Sequence, residues 1–163
     1  MSEPVAVREL GAAELDELAP RLLEIQHAAY AIEAALIGDD RIPPLHETEA
    51  GLRAAGLRWL VAERDGELAG ALGFTVDDEL LDLDRLVVAP EHARRGVGRA
   101  LAGEALALAP RAVVATGRGN DPARGLYEGA GFVHEGDQEV LPGLWISRFR
   151  RPAGTPPHAS TSG

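Results

Sequence analysis

Between an apolar strand, Leu86-Val87-Val88, and an apolar helix, the chain carries Ala93-Arg94-Arg95-Gly96-Val97-Gly98-Arg99-Ala100, a basic turn broken by glycine. Gly96 and Gly98 free the backbone to curl, so that several N–H groups converge on one point. The helix N-terminus adds its partial positive charge there. Such a concavity holds an anion, a pyrophosphate above all, with Arg94, Arg95 and Arg99 to neutralise it. An ordinary glycine-rich turn with solvated arginines is the alternative, and the segment alone does not separate the two. It is neither the Rossmann fingerprint, which needs a third glycine, nor the P-loop, which needs Gly-Lys-Ser/Thr.

Groups able to move protons flank this turn. Asp82 and Asp84 alternate with Leu81 and Leu83, which puts both carboxylates on one side of the strand leading to the turn. Close together they would repel, raising one of them into the range of a useful base, and a solvated pair is the other reading. Tyr127 has a phenol whose ordinary pKa is about 10, so it keeps its proton at neutral pH and can act as an acid. Read alone, it is first a half-buried core ring packed on Phe132. His27, Tyr30, Glu33 and His46 are further candidates in the N-terminal part of the chain. Asn120 can cap the helix that follows it or bind a ligand, and Arg124 can reach a phosphate or lie in solvent.

A second segment ties these residues together. After Val113-Val114-Ala115-Thr116 comes Asn120-Asp121-Pro122-Ala123-Arg124-Gly125-Leu126-Tyr127-Glu128-Gly129-Ala130-Gly131-Phe132. With the basic turn it resembles the GNAT N-acetyltransferase superfamily. The loop of that family reads Gln/Arg-x-x-Gly-x-Gly/Ala, and its later Asn-x-x-Ala-x-x-Leu-Tyr-x-x-x-Gly-Phe run is matched at Asn120, Ala123, Leu126, Tyr127, Gly131 and Phe132. The resemblance covers roughly Arg58 to Arg150. Ala93 departs from the Gln/Arg that opens the loop motif, leaving Arg94 and Arg95 to supply the charge.

The resemblance implies acetyl-CoA as co-substrate, without a metal. It implies cofactor contacts at Leu86, Val87 and Val88, then from Arg94 through Arg95, Gly96, Val97, Gly98 and Arg99 to Ala100, with Asn120 and Arg124 beyond. It places a tyrosine, here Tyr127, near the cofactor sulfur, and in some members a glutamate near the position of Asp82. A backbone N–H around Val87 or Val88 would meet the developing oxyanion. The implied fold is α/β, a mixed and mostly antiparallel sheet of six to seven strands flanked by helices. In it a parallel strand pair splays apart to hold the cofactor arm. A homodimer is common in the family.

Composition bounds the rest. At 163 residues one domain is expected over residues 1–151, followed by a disordered Pro/Ser/Thr-rich tail over 152–163. There is no cysteine, which excludes disulfides, thiol catalysis and thiolate metal sites. The formal net charge of −10 argues against nucleic acid and suits a cationic acceptor. No apolar run is long enough to span a bilayer, and Met1-Ser2-Glu3-Pro4 lacks the shape of a signal peptide, so a cytoplasmic location is expected. All sixteen basic residues are arginine, which with the Ala and Gly excess suggests a GC-rich bacterial source.

Patterning predicts a strand at Val5–Leu10 and a helical region from Gly11 that Pro20 splits, its second part reaching Leu36. A loop over residues 38–44 and a helix at Glu47–Ala55 follow. A hairpin Arg58–Glu63 and Leu68–Phe74 turns at Asp65-Gly66, with a third strand at Leu80–Val88. After the basic turn a helix runs to Pro110, a strand spans Ala112–Thr116, and a helix capped by Asp121 covers Pro122–Gly129. Strands at Phe132–Val140 and Leu144–Arg150 come last. The expected activity is direct acetyl transfer from acetyl-CoA to a primary amine, of a small molecule or a protein. The alternative is a non-catalytic acyl-CoA-binding module on the same fold.

Overall fold

The computed structural model describes residues 4–153; the expected tail, from residue 154 on, and the first three residues lie outside them. Seven strands form one sheet in the order β1-β2-β3-β4-β5-β7-β6. They are β1 (Ala6–Glu9), β2 (Arg58–Arg64), β3 (Glu67–Asp77), β4 (Leu80–Val88), β5 (Arg111–Gly117), β6 (Val133–Leu141) and β7 (Leu144–Arg151). Every neighbouring pair is antiparallel except β4 and β5. The helices are α1 (Ala12–Ile37), α2 (Glu49–Ala54), α3 (Val97–Leu106) and α4 (Asp121–Gly129).

Period-two alternation in the strands sends side chains to two cores, one on each face of the sheet. Along β2, Trp59 and Val61 pack with Leu22 and Ile25 of α1 and Leu52 of α2. Leu60 and Ala62 turn the other way, joining Phe74, Leu83, Phe149 and the α3 residues Val97 and Leu101. Asp65 and Gly66 both take positive φ (56° and 72°), as the tight β2–β3 hairpin requires.

Four expectations are corrected. Pro20 does not split the helical region: α1 is one helix of 26 residues with Pro20 inside it. The missing proline N–H leaves the carbonyl of Asp16, four residues back, without a helical partner. Arg53 Nη2 of α2 donates to that carbonyl at 3.1 Å. The cap of α4 is Asn120, whose side chain accepts from Ala123 N at 3.2 Å, and Asp121 is the first helical residue. Helix α3 stops at Leu106, because Ala107 and Leu108 tighten to i−3 hydrogen bonds (3.3 and 3.0 Å) before Pro110. The segment expected as a loop to Pro44 also holds a single 3-10 turn, Pro43–His46.

The β3–β4 ladder is irregular at one point. Gly73 pairs with Arg85 but Phe74 pairs with Leu83, so Asp84 is an extra residue on β4. The bulge resets side-chain parity. Leu81 and Leu83 belong to the α3/α4 core, yet after the bulge Leu86 and Val88 lie on that face while Val87 packs with α1.

Candidate active site

The parallel pair β4–β5 is short. It runs from Leu80 opposite Arg111 to Leu83 opposite Val114 and goes no further, although both strands continue. Beyond that point β5 pairs only with β7 and β4 only with β3. Ala89 N donates to Ala69 O of the neighbouring strand β3 at 2.8 Å. The alternation of an antiparallel ladder then turns the polar groups of Val87 toward β3, and those of Leu86 and Val88 toward the gap. Unpaired N–H and C=O groups at a buried strand edge call for a partner.

A cleft of about 170 Å³ occupies this gap. Its walls come from α1 (Tyr30, Glu33), β4 (Asp84, Arg85, Leu86), β5 (Thr116) and α4 (Asn120, Ala123, Tyr127). The Tyr127 ring is buried, 5% exposed, edge-on to Phe132 with centroids 5.6 Å apart. Among the described residues its hydroxyl has no hydrogen-bond partner, yet it faces the cleft. Core ring and free hydroxyl are thus the same residue. Burial, and secondarily the Glu33 carboxylate, raise its pKa well above that of an ordinary phenol. Tyr30, on the facing wall, is raised by the same causes.

At the far end of β4 the basic turn takes the shape its glycines allow. Arg94 and Gly96 have positive φ (62° and 79°), and Gly96 caps α3 without any side-chain bond. The first bond of α3 is Ala100 N to Gly96 O at 3.0 Å, leaving the amides of Val97, Gly98 and Arg99 free. Arg94, Arg95 and Arg99 are exposed and form no ion pair among the described residues. Between α3 and α4 a groove of about 520 Å³ continues from Arg99, lined by Ala102, Gly103, Gly125 and Gly129. A Cβ added at Gly103, Gly125 or Gly129 would meet nothing within 4 Å. No protein packing demands those glycines, and each costs helix stability relative to alanine. What they leave is room, beside free amides and unpaired guanidinium groups. The donor set fits a phosphorylated, elongated ligand.

A family model described as the acetyltransferase (GNAT) family matches residues 20–132, more than half of the chain. The chain belongs to the GNAT acetyltransferase family. It is 33% identical over 135 residues to the UPF0157 protein YqkA of Bacillus subtilis (strain 168), covering 81% of this chain and 39% of YqkA. The chain therefore spans well under half the length of that relative. Among solved structures it is similar to the PaiA N-acetyltransferase of Thermoplasma acidophilum in complex with coenzyme A. The identity is 19%, with a TM-score of 0.70 over 89% of this chain and 98% of that one. It is likewise similar to YncA of Salmonella typhimurium with its cofactor acetyl-CoA, at 18% identity and a TM-score of 0.69 over 94% and 96% of the two chains. At these identities the likeness is one of fold.

In this GNAT fold the sequence candidates separate. Asp84 lines the cleft; Asp82 sits opposite Val113, in the closed part of the β4–β5 pair, outside it. Burial, then the Asp84 carboxylate, push Asp82 above the usual carboxylate range, with Arg148 opposing. His27 and His46 lie against the carbonyls of Glu47 (2.8 Å) and Asp40 (2.7 Å), away from the cleft. Arg124 pairs with Glu128 at 3.4 Å and lies over the Phe149 ring. Asn120 serves its own helix cap and also donates to Glu33.

One cleft residue escaped the sequence reading. Arg85 is 8% exposed and donates to Asp84 (2.7 Å), Gln26 (3.1 Å) and Glu47, joining β4 to α1 and the segment before α2. Burial works against its charge, but the bonds it donates to Asp84 and Glu47, with their charges, outweigh it and raise its pKa. Its only signal was an arginine inside an apolar strand, and strict alternation placed it on the wrong face. No helix among the described residues is long and apolar enough to cross a membrane.

Proposed function

We propose that this chain is an N-acetyltransferase that moves an acetyl group from acetyl-CoA directly to a primary amine. The observation that carries the reading is the open edge of β4 beside the hydroxyl of buried Tyr127, unbonded among the described residues, in one cleft. When bound, acetyl-CoA supplies a thioester whose C–S bond breaks as the N–C bond to the amine forms.

The residues divide the work by position. The amides of Leu86 and Val88 extend the sheet to an amide-bearing arm, as an added strand would. The Val88 N–H is also the donor available to a developing oxyanion. Val97, Gly98 and Arg99 offer amides to a pyrophosphate, with Arg94, Arg95 and Arg99 as counter-charges. Tyr127 donates its proton to the departing thiolate; burial keeps that proton in place across the neutral range. Asp84, the member of the aspartate pair that lines the cleft, is the proton acceptor on the amine side. With no cysteine in the chain, no thiol carries the acetyl group between the two substrates.

Thiol release from acetyl-CoA, followed with a panel of amines, tests this reading. The expected result is saturable acetyl-CoA binding and amine-dependent release. Tyr127→Phe should lower kcat by about tenfold to a hundredfold while acetyl-CoA affinity stays within about twofold. Binding without turnover on any amine would make the chain a non-catalytic acyl-CoA module, and unchanged kcat in Tyr127→Phe would remove Tyr127 as the acid.

A further inference from the structure

We propose that Glu33 is the residue that recognises the acceptor, and that the acceptor is an aliphatic primary ammonium carrying a single positive charge beside an apolar chain. The proposal rests on the acetyl-transfer reading for the reaction, but its argument comes from the opposite wall of the cleft.

Two carboxylates line the cleft, and their surroundings differ. Asp84 is paired with Arg85 Nε at 2.7 Å. Glu33 has no cation among the described residues. Its Oε1 accepts from Thr116 Oγ1 at 2.7 Å and from Asn120 Nδ2, and its Oε2 has no partner there. Both donors are neutral, so they hold the carboxylate without cancelling its charge. A partly buried charge left without a counter-charge is costly, and a ligand cation relieves it.

The carboxylate is also held in place. Three elements meet on it: α1 carries it, β5 supplies Thr116, and Asn120 reaches it from the cap of α4. Asn120 is spent at both ends, its Oδ1 on Ala123 N and its Nδ2 on Glu33, which makes it a positioning residue for Glu33. Rigid, charged and unpaired is the description of a specificity anchor.

The rest of the wall is apolar. Ile32 and Leu36, one turn apart on α1 and flanking Glu33, line the cleft and are 52% and 48% exposed. Ala29, Pro122 and Ala123 complete that side. A volume of about 170 Å³ suits a short aliphatic chain, and the second carboxylate of the cleft, Asp84, is already paired with Arg85. The Tyr127 hydroxyl opens into the same space, so an ammonium on Glu33 sits on the wall facing the acid. Transfer converts the ammonium and the thioester into a neutral amide, a free thiol and one released proton. The amide no longer attracts Glu33, which favours product release.

Calorimetric titration with n-hexylammonium at physiological salt decides the matter, run on the free and the CoA-saturated protein. One-to-one binding is expected, weakened at least tenfold in Glu33→Gln, a change that keeps the acceptor atom used by Thr116 and Asn120. An unchanged CoA affinity in that variant certifies its fold. The wild type alone gives a second arm: 1-hexanol, of the same shape without the charge, should bind at least tenfold more weakly, and spermidine more weakly than n-hexylammonium. Equal binding to Glu33→Gln, equal binding of the alcohol, tighter spermidine binding or no binding of n-hexylammonium would each overturn the proposal. Failure of CoA to bind counts against the acetyl-transfer reading, while the cation titration of the free protein still decides Glu33.

Discussion

Tyr127 and Tyr30 are the only tyrosines in the chain, and both stand in the cleft. Burial raises both phenols above their ordinary value, with the Glu33 carboxylate adding to the effect. In the unfolded chain they ionise near the reference value of about 10. Below that pH both states hold the protons, and the two groups leave stability unchanged. Above it the unfolded state loses protons that the native state keeps, so stability falls as pH rises. Absorbance at 295 nm should accordingly show no phenolate in the native protein as pH passes 10, and two phenolates in urea. Ionisation of either tyrosine at its ordinary value in the native protein would mean that its hydroxyl is solvated rather than kept from bulk water by burial in the cleft. The same retention keeps Tyr127 a competent acid throughout the alkaline range in which most amines are neutral.

At the scale of elements, two helices carry features that their own propensity would reject. Pro20 lies in the interior of α1, where proline costs about 3 kcal/mol. Arg53 of α2 offsets part of that by bonding the carbonyl Pro20 leaves free. A double-mutant cycle reads the coupling: Arg53→Ala should cost about 1 kcal/mol in the wild type and clearly less in Pro20→Ala, where the helix satisfies Asp16 O itself. Equal costs in both backgrounds would detach Arg53 from the proline. The glycines facing the α3/α4 groove are the second feature. Gly103→Ala should stabilise the fold by about 0.5–1 kcal/mol in chemical denaturation, since the position is helical and its Cβ direction is open. Gly103→Leu should fold as well but weaken coenzyme A binding about tenfold or more, by filling the groove. Full affinity in that variant would place the ligand elsewhere.

For the whole molecule, charge is distributed against its sum. In a chain of net charge −10, Arg94, Arg95 and Arg99 stand beside the N-terminal amides of α3 with no ion pair among the described residues, and Glu33, in the cleft, has no cation among them. On the proposed reading, an anionic ligand would be drawn to the basic turn and a cationic one to the cleft between β4 and β5. Ligand that binds only the native state stabilises it by mass action. Coenzyme A at a hundred times its Kd should raise Tm by about 5–10 °C for a chain of this size. The shift should shrink with added salt, as arginine–phosphate contacts are screened, and vanish in Gly98→Glu. A salt-independent shift would argue against the arginine turn as the phosphate site.

Much of this was legible in local sequence. The turn Arg94–Gly96, the strand limits Leu80–Val88 and the segment Asn120–Phe132 depend on residues a few positions apart, whose backbone preferences act over that range. The family, the mixed sheet and the candidate acid followed from them. Tertiary structure decided the rest. The bulge at Asp84, which turns Arg85 and Val87 to the α1 face, arises from pairing with β3 and breaks the alternation that sequence reading must assume. The carbonyl that Pro20 leaves free inside α1 is met by Arg53, which reaches it from α2. Glu33 was one of several candidates until the fold laid α1 across the gap and brought it to Asn120, 87 residues away in sequence. Local sequence sets which residues can do chemistry, because conformational preference is short-ranged. Which of them meet is set by the packing of both cores, because only a closed fold brings distant carboxylates and donors within hydrogen-bonding reach.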